Sequence, residues 1–168
     1  MIIEGTAVVI DEPDVNTDVL YPGPFLNIDD PEVMKDHLFD GLDPSLRDRL
    51  KGDTVLIVGE NFACGSSREH VPLAMKASGI RAVVGRSFAR IFFRNCINLG
   101  LPVITCGPAV AAAQSGSSIR IAAADGLLNV DGEAFRVPPL PPFVVDMIRG
   151  GGLVPWVQRR LAEIETPH

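Results

Sequence analysis

Short runs of apolar and β-branched residues alternate with turn-forming residues over the first two thirds of the chain. Such runs, bounded by Gly, Pro, Asn and Asp, predict strands at residues 5–10, 54–58, 81–84 and 102–105. Longer segments with helical signals predict helices at 31–39, 69–78 and 87–98. Asp30 is the expected N-cap of the first helix, and Gly79 and Gly100 end the other two. Strands that alternate with helices in this way predict a parallel sheet with right-handed crossovers.

The last third of the chain has a different pattern. Short strands are predicted at 118–123, 127–130 and 134–137, joined by Asp-Gly turns. A proline-rich connector at 137–142 leads to a helical tail that breaks at 150–152 and resumes at 155–164. The predicted fold is therefore α/β, with a parallel-sheet core and a small β-rich annex, in a single domain over residues 1–168.

Charge and cysteine content limit the kinds of molecule that this chain is expected to bind and the compartment in which it is expected to occur. The net charge of −6 argues against a phosphate-backbone partner and against an anionic membrane surface, so neither nucleic acid nor membrane is expected. The three cysteines are odd in number and lack C-x-x-C spacing, which favours a reducing compartment, and no metal-ligand spacing is present. With no signal peptide and no long apolar run, a cytoplasmic location is expected.

The chemistry-bearing residues are concentrated in one segment, residues 59–70 (GENFACGSSREH), called the serine turn below. It follows the predicted strand at 54–58, and ligands of parallel α/β sheets bind at the carboxyl ends of strands. The hydroxyls of Ser66 and Ser67, the guanidinium of Arg68 and the N–H groups of a helix start together favour an anion. The expected ligand is a small di- or tricarboxylic acid, or a phosphate.

Simpler readings of the serine turn remain open. Ser66 and Glu69 have the spacing of a capping box, which needs no catalysis. Pro72 weakens this reading, because a helix starting at Ser66 would put proline beyond its first turn. Neither a P-loop nor a G-x-G-x-x-G fingerprint is present. Cys64 as a nucleophile, with His70 or His37 as its base, is a less favoured alternative.

Three stretches of the chain carry a family resemblance, and together they run from about residue 5 to 105. They are the serine turn, the segments NTD (16–18) and YPGPFL (21–26), and the segments SFARIFFRN (87–95) and NLGLP (98–102). They resemble the mobile swivel domain of aconitase-superfamily hydro-lyases, in the branch where this domain is a separate small subunit. The resemblance implies a swivelling β/β/α domain.

The resemblance also implies a division of labour between two chains. A large subunit carries a [4Fe–4S] cluster that acts as a Lewis acid, and this chain binds no cofactor of its own. Ser66 is then the catalytic base, while Ser67 and Arg68 hold a substrate carboxylate. Asp18 and Asn27, in the loop that precedes the first predicted helix, are further candidates for substrate binding. The substrate is a small dicarboxylic acid.

The loop at 11–28 bears on which acid is bound. Homoaconitase-like members carry an arginine there that can bind an extra carboxylate, whereas this chain has none between Asp11 and Lys35. An apolar substituent, such as the isopropyl group of isopropylmalate, is compatible with Phe25, Leu26 and Ile28. Citramalate, dimethylmalate and homoaconitate remain alternatives, as does a non-catalytic anion-binding module.

Overall fold

Seven strands form one mixed sheet in the computed structural model, which describes residues 1–165. They are β1 (Ile2–Ile10), β2 (Thr54–Val58), β3 (Ile80–Gly85), β4 (Val103–Thr105), β5 (Ser118–Ala122), β6 (Leu127–Val130) and β7 (Glu133–Arg136). Their order across the sheet is β4-β3-β2-β1-β5-β6-β7. Strands β1 to β4 are parallel to one another, and β5 to β7 continue the sheet from β1 with antiparallel pairing.

Helices cover the sheet and its loops. They are α1 (Thr17–Leu20), α2 (Pro31–Met34), α3 (His70–Ala77), α4 (Arg90–Asn98), α5 (Gly107–Ala112), α6 (Pro142–Arg149) and α7 (Leu153–Glu165). Short 3₁₀ segments lie at Gly23–Phe25, Lys35–His37 and Pro44–Arg49. None of the helices in residues 1–165 is long and apolar enough to cross a membrane.

The parallel strands are buried on both faces, which explains their continuous apolar sequence. Side chains of β2 alternate between two cores, because successive residues of a strand point to opposite faces. Leu56 and Val58 pack with residues of α1 to α4, while Val55 and Ile57 pack with α5 and with the inner faces of β5 and β6. Burying each of these side chains contributes about 1.5–3 kcal/mol.

The predicted fold class is confirmed, and each predicted strand corresponds to an observed one with ends shifted by at most three residues. One detail differs. The three strands predicted as a β-rich annex are not separate from the core, because β5 is hydrogen-bonded along the edge of β1. The annex is therefore the antiparallel half of a single sheet.

The predicted helix at 87–98 is too long at its start. Helix α4 begins at Arg90, and Ala89 before it has extended backbone angles (φ −60°, ψ 135°). The Ala89 N–H donates to the carbonyl of Phe62 at 3.0 Å, a contact across 27 positions that the local pattern does not reveal. Residues 87–89 thus serve as a brace for the serine turn.

Three other segments also differ from prediction. The helix predicted at 31–39 is α-helical only over Pro31–Met34 and then tightens into a 3₁₀ turn, although Asp30 does cap it by accepting from the Glu32 N–H at 2.9 Å. Helix α5 was not predicted, because its Gly-Pro start has the signature of a turn. The tail helix begins at Leu153, two residues before its predicted start.

Candidate functional site

The loop after β1 and the serine turn after β2 are joined by backbone hydrogen bonds. The Asp14 N–H donates to the Glu60 carbonyl at 2.9 Å, and the Cys64 N–H donates to the Val15 carbonyl at 3.2 Å. The Thr17 N–H returns a bond to the Cys64 carbonyl at 2.8 Å. The two loops therefore behave as a short extra pair of strands, although 49 positions of sequence separate them.

The segment after β3 closes the other side of the serine turn. The Phe62 N–H donates to the Ser87 carbonyl at 3.2 Å, and the Asn61 N–H donates to the Ser87 hydroxyl at 2.8 Å. Arg86 pairs with Asp11 through two bonds of 3.1 Å, and this hydrogen bonding raises the pKa of the guanidinium above its ordinary value. Hydrogen bonds therefore connect the three loops that follow the neighbouring strands β1, β2 and β3.

The backbone of the serine turn takes an unusual path. Asn61, Ala63 and Gly65 all have positive φ, at 47°, 58° and 107°. Such angles are uncommon for residues other than glycine and persist where surrounding contacts enforce them. Gly65 also has no room for a side chain, since a Cβ there would lie 2.7 Å from the Asn16 side-chain oxygen. The conformation of the turn is consequently one that glycine at position 65 makes possible.

Ser66 is half-buried and held at two atoms. Its N–H donates to the Thr17 hydroxyl at 3.1 Å, and its Oγ accepts from the Arg68 N–H at 3.2 Å. Ser66 is not the N-cap of α3, because α3 begins at His70 and Glu69 occupies the cap position. Pro72 therefore lies in the first turn of the helix, where proline is tolerated. The capping-box reading is thereby excluded.

Arg68 is oriented by Asp18. Its Nη1 donates to Asp18 Oδ1 at 2.6 Å, and the two side chains are 31% and 62% exposed. Asp18 is itself fixed at the start of α1, where its N–H donates to the Asn16 side chain at 2.8 Å. This pair is open to solvent, so the guanidinium retains donors that an incoming carboxylate can bind.

The remaining candidates are placed differently. Ser67 is exposed beside Arg68, and its carbonyl accepts from the Asn95 side chain at 3.0 Å, which ties the turn to α4. Asn27 is exposed on the loop before α2. Within residues 1–165, no hydrogen bond brings Asn27 into contact with Ser66, Ser67 or Arg68.

Two residues that the sequence did not single out support the site. Thr17 is 1% exposed and accepts the Ser66 amide through its hydroxyl, which fixes the backbone on which the serine sits. The Asn95 side chain, on α4, fixes the backbone of Ser67 by donating to its carbonyl. Both lie inside the stretches that carry the family resemblance, but their roles depend on contacts over 28 positions or more.

The alternative chemistry at Cys64 is not supported by its surroundings. The Cys64 thiol is directed at the carbonyls of Asp14 and Val15, at 3.4 and 3.7 Å. Its two proposed bases are engaged elsewhere: His70 Nε2 contacts the Leu26 carbonyl, and His37 Nδ1 contacts Asp40. A thiol without a nearby base to take its proton is poorly activated as a nucleophile.

The other cysteines do not add a reactive or ligating group. Cys96 and Cys106 are buried, and burial raises the pKa of the Cys96 thiol well above its ordinary value. In residues 1–165, no three His, Cys, Asp or Glu side chains come together as a ligand set for a metal ion.

Taken together, the turn presents two hydroxyls and a guanidinium on a braced backbone. The amide that donates to Ser66 Oγ would also stabilise that oxygen as an alkoxide, and Arg68 supplies positive charge two residues away. Such a constellation can bind a carboxylate and exchange a proton with a carbon next to it.

Several known proteins are similar to this chain in sequence. Residues 39–107 match the Aconitase C-terminal domain family. The 3-isopropylmalate dehydratase small subunit of Moorella thermoacetica is 42% identical over 163 residues, which cover 96% of this chain and 98% of the relative. A small subunit 1 of the same name from Methanopyrus kandleri is 43% identical, with 94% of each chain covered.

Solved structures agree with these relatives. The crystal structure of 3-isopropylmalate dehydratase from Methanocaldococcus jannaschii superposes with a TM-score of 0.90 at 34% identity, covering 98% of each chain. The aconitase X of Thermococcus kodakaraensis shares the fold at a TM-score of 0.53 and 18% identity, covering 77% of this chain and 90% of that one. Since the similarity at 42% identity extends over nearly the whole of both sequences, this chain belongs to the family of 3-isopropylmalate dehydratase small subunits.

Proposed function

We propose that this chain is the small subunit of a hydro-lyase that interconverts 2-isopropylmalate and 3-isopropylmalate by dehydration and rehydration, a step of leucine biosynthesis. The observation that carries the proposal is the braced Ser66–Arg68 turn in a chain that is similar over its full length to small subunits of that name. The whole chain would act as one swivel-like domain in the cytoplasm.

Ser66 is the proposed base. Its Oγ would take a proton from the carbon next to a substrate carboxylate and return it during rehydration. A serine hydroxyl is weakly acidic, so it needs stabilisation of its alkoxide form. The Arg68 amide, which donates to Oγ at 3.2 Å, would supply part of that stabilisation, and the positive charge carried by the Arg68 side chain would add to it.

Ser67 and Arg68 are the proposed carboxylate ligands. Ser67 is exposed beside the base, and Arg68 can offer donors that its bond to Asp18 leaves available. Charge-assisted bonds of this kind hold a carboxylate more firmly than neutral ones do. Their strength would rise as negative charge develops on the substrate during proton removal.

Asp18 and Asn27 are proposed to contact the substrate less directly. Asp18 would orient Arg68 and accept a hydrogen bond from a substrate hydroxyl, because a carboxylate can only accept. Asn27 is exposed, and its amide would be available to a substrate bound against the loop before α2.

A second chain is needed to complete this site. We propose that a large subunit carries a [4Fe–4S] cluster and that the two chains assemble as a heteromer. The residues described in this chain offer no ligand set for such a cluster. When bound in its own subunit, the cluster would supply a Lewis acid for the substrate hydroxyl and carboxylate.

The loop before α2 supports an apolar substituent on the substrate. Phe25, Leu26 and Ile28 are partly buried, so each packs against the core while leaving part of its surface open. The absence of arginine between Asp11 and Lys35 disfavours a charged substituent. Smaller malates, such as citramalate and dimethylmalate, would fill this surface less well.

Reconstitution with the large subunit tests the proposal. The purified pair should turn over isopropylmalate with a kcat/KM at least about tenfold higher than for citramalate, dimethylmalate or homoaconitate. The two smaller malates lose apolar contacts, and homoaconitate brings a charged substituent that no arginine between Asp11 and Lys35 can bind. Either chain alone should be inactive. A pair that assembles but turns over none of these acids would contradict the proposal and favour an anion-binding module.

A further inference from the structure

His70 links the serine turn to the loop before α2. It is the first residue of α3, four positions after Ser66, and its Nε2 lies 3.1 Å from the carbonyl oxygen of Leu26. A carbonyl oxygen can only accept, so Nε2 must be the donor. The other ring nitrogen, Nδ1, is buried and has no hydrogen-bond partner within the described residues. The hydrogen bonding of the His70 ring to the described residues therefore depends on Nε2.

Tyr21 also binds the loop before α2. Its hydroxyl donates to the Phe25 carbonyl at 3.1 Å, and its ring lies 5.4 Å from that of His70. Burial, and secondarily the charge of Asp40, raises the pKa of the Tyr21 phenol, so the hydroxyl keeps the proton that it donates. Two neighbouring aromatic side chains thus bind two successive carbonyls of one turn.

The turn that they hold is small, and its remaining backbone hydrogen bonds are local, while Phe25, Leu26 and Ile28 also pack against the core. The N–H groups of Phe25, Leu26 and Ile28 donate to carbonyls three residues earlier, at 3.1, 3.2 and 3.1 Å. Turns of this length have little stability of their own. The two anchoring hydrogen bonds therefore add to core packing in fixing the backbone of the segment relative to Ser66.

We propose that His70 is a positioning residue that couples the serine turn to residues 23–28 and so sets which substituent the substrate can carry. The inference rests on the proposed function. A shift at the start of α3 would move Ser66 and the Leu26 anchor together, which keeps the base and the substituent-binding side chains in register.

The His70 side chain also fills space between its neighbours. The test must therefore separate the effect of its packing from the effect of its hydrogen bond. The amide nitrogen of glutamine can occupy the place of Nε2, whereas that of asparagine corresponds to Nδ1. His70→Gln should therefore keep the bond to Leu26, and His70→Asn and His70→Leu should lose it. Ser78→Ala is the matched control, since it removes a bond of 2.8 Å to the Ala74 carbonyl at the opposite end of α3.

Substrate selectivity is the first readout. With the reconstituted pair, His70→Leu and His70→Asn should lower the kcat/KM ratio of isopropylmalate over citramalate on the order of tenfold, chiefly by raising KM for isopropylmalate. His70→Gln should stay within about threefold of the unmodified chain, and Ser78→Ala should not change the ratio.

Amide hydrogen exchange of the free chain is the second readout, and it needs no activity. Residues 23–28 should exchange faster in His70→Leu and His70→Asn than in His70→Gln. If the Asn and Gln variants match in both selectivity and exchange, or if His70→Leu behaves as the unmodified chain, the positioning role is overturned. An inactive unmodified pair would refute the proposed function instead, while the exchange comparison would still decide the role of His70.

Discussion

Both halves of the sheet bury apolar side chains, but they differ in the kind of site that their loops can form. In the parallel half, β1 to β4, every strand ends at the same edge, and the loops that follow β1, β2 and β3 are bonded to one another there. In the antiparallel half, β5 to β7, successive strands end at opposite edges, and tight Asp-Gly turns join them. The parallel half thereby brings the loops that follow three neighbouring strands to one place.

This difference explains where strain and polar chemistry occur. The serine turn combines three positive-φ residues with an exposed ion pair, and it is held by contacts from residues 14–17 and 87–95. The β6–β7 hairpin contains positive-φ residues as well, but its Gly132 faces open space. The same backbone feature therefore shapes a site in one half and a plain turn in the other.

Replacing matched arginines should give the largest contrast between the halves. Arg68 and Arg120 each pair with a carboxylate on another element, at 2.6 and 3.1 Å. Arg68→Ala should lower kcat/KM of the reconstituted enzyme about 10²–10³-fold, because it removes a charge that stabilises the developing anion. Arg120→Ala breaks an exposed pair worth at most about 1 kcal/mol and should leave kcat/KM within about twofold. Equal losses in the two variants would show that Arg68 has no special role.

Matched glycine substitutions should give a smaller contrast, in stability. Gly65→Ala forces a Cβ to 2.7 Å from the Asn16 oxygen at φ +107°, whereas Gly132→Ala meets no atom within 4 Å at φ +90°. Urea unfolding should show a loss of about 3 kcal/mol for Gly65→Ala and of about 1 kcal/mol for Gly132→Ala, the cost of positive φ alone. Only the first should reduce activity. A Gly65→Ala chain as stable and active as the Gly132→Ala chain would disprove the packing argument.

Replacing Asp131 should give the smallest effect, a loss of stability in the antiparallel half that is present at neutral pH and disappears in acid. Bonds from the Ser117 hydroxyl and the Ser118 amide lower the pKa of this carboxyl below its usual value. Ionised Asp131 therefore stabilises the fold above its unfolded pKa of about 3.9, and this contribution is lost as pH falls through the lower folded pKa.

The Asp131→Asn variant tests this sign. Its free energy of unfolding should be lower than that of the unmodified chain at pH 7, and the gap should close toward pH 2. Activity of the reconstituted enzyme at pH 7 should be unchanged. A gap that widened in acid would mean that the ionised carboxylate destabilises the hairpin.

The comparison also shows which features local sequence could predict. The strands were predictable because β-branched apolar runs, such as residues 54–58, are bounded by turn residues that act locally. The start of α4 was not, because the Phe62 carbonyl holds Ala89 extended from 27 positions away. Helix α5 was missed for a different reason: its Gly-Pro start, which serves as a first helical turn, has the composition of a loop.

The candidate site divides in the same way. Ser66, Ser67 and Arg68 could be identified because they are adjacent and carry a dense polar motif after a buried strand. Their supports could not, since Thr17 and Asn95 act through contacts across 49 and 28 positions. The Arg68–Asp18 pair is an intermediate case, in which family resemblance indicated both residues but not the bond between them.

Turnover by the Ser66→Ala variant tests the central claim most directly. The variant should be compared, in complex with the large subunit, with Ser118→Ala, an exposed serine of the antiparallel half. Loss of the base should lower kcat for isopropylmalate by about 10²–10⁴-fold while KM and assembly change little, and Ser118→Ala should match the unmodified chain. A Ser66→Ala complex that retains kcat within twofold would show that the proton is taken by another group.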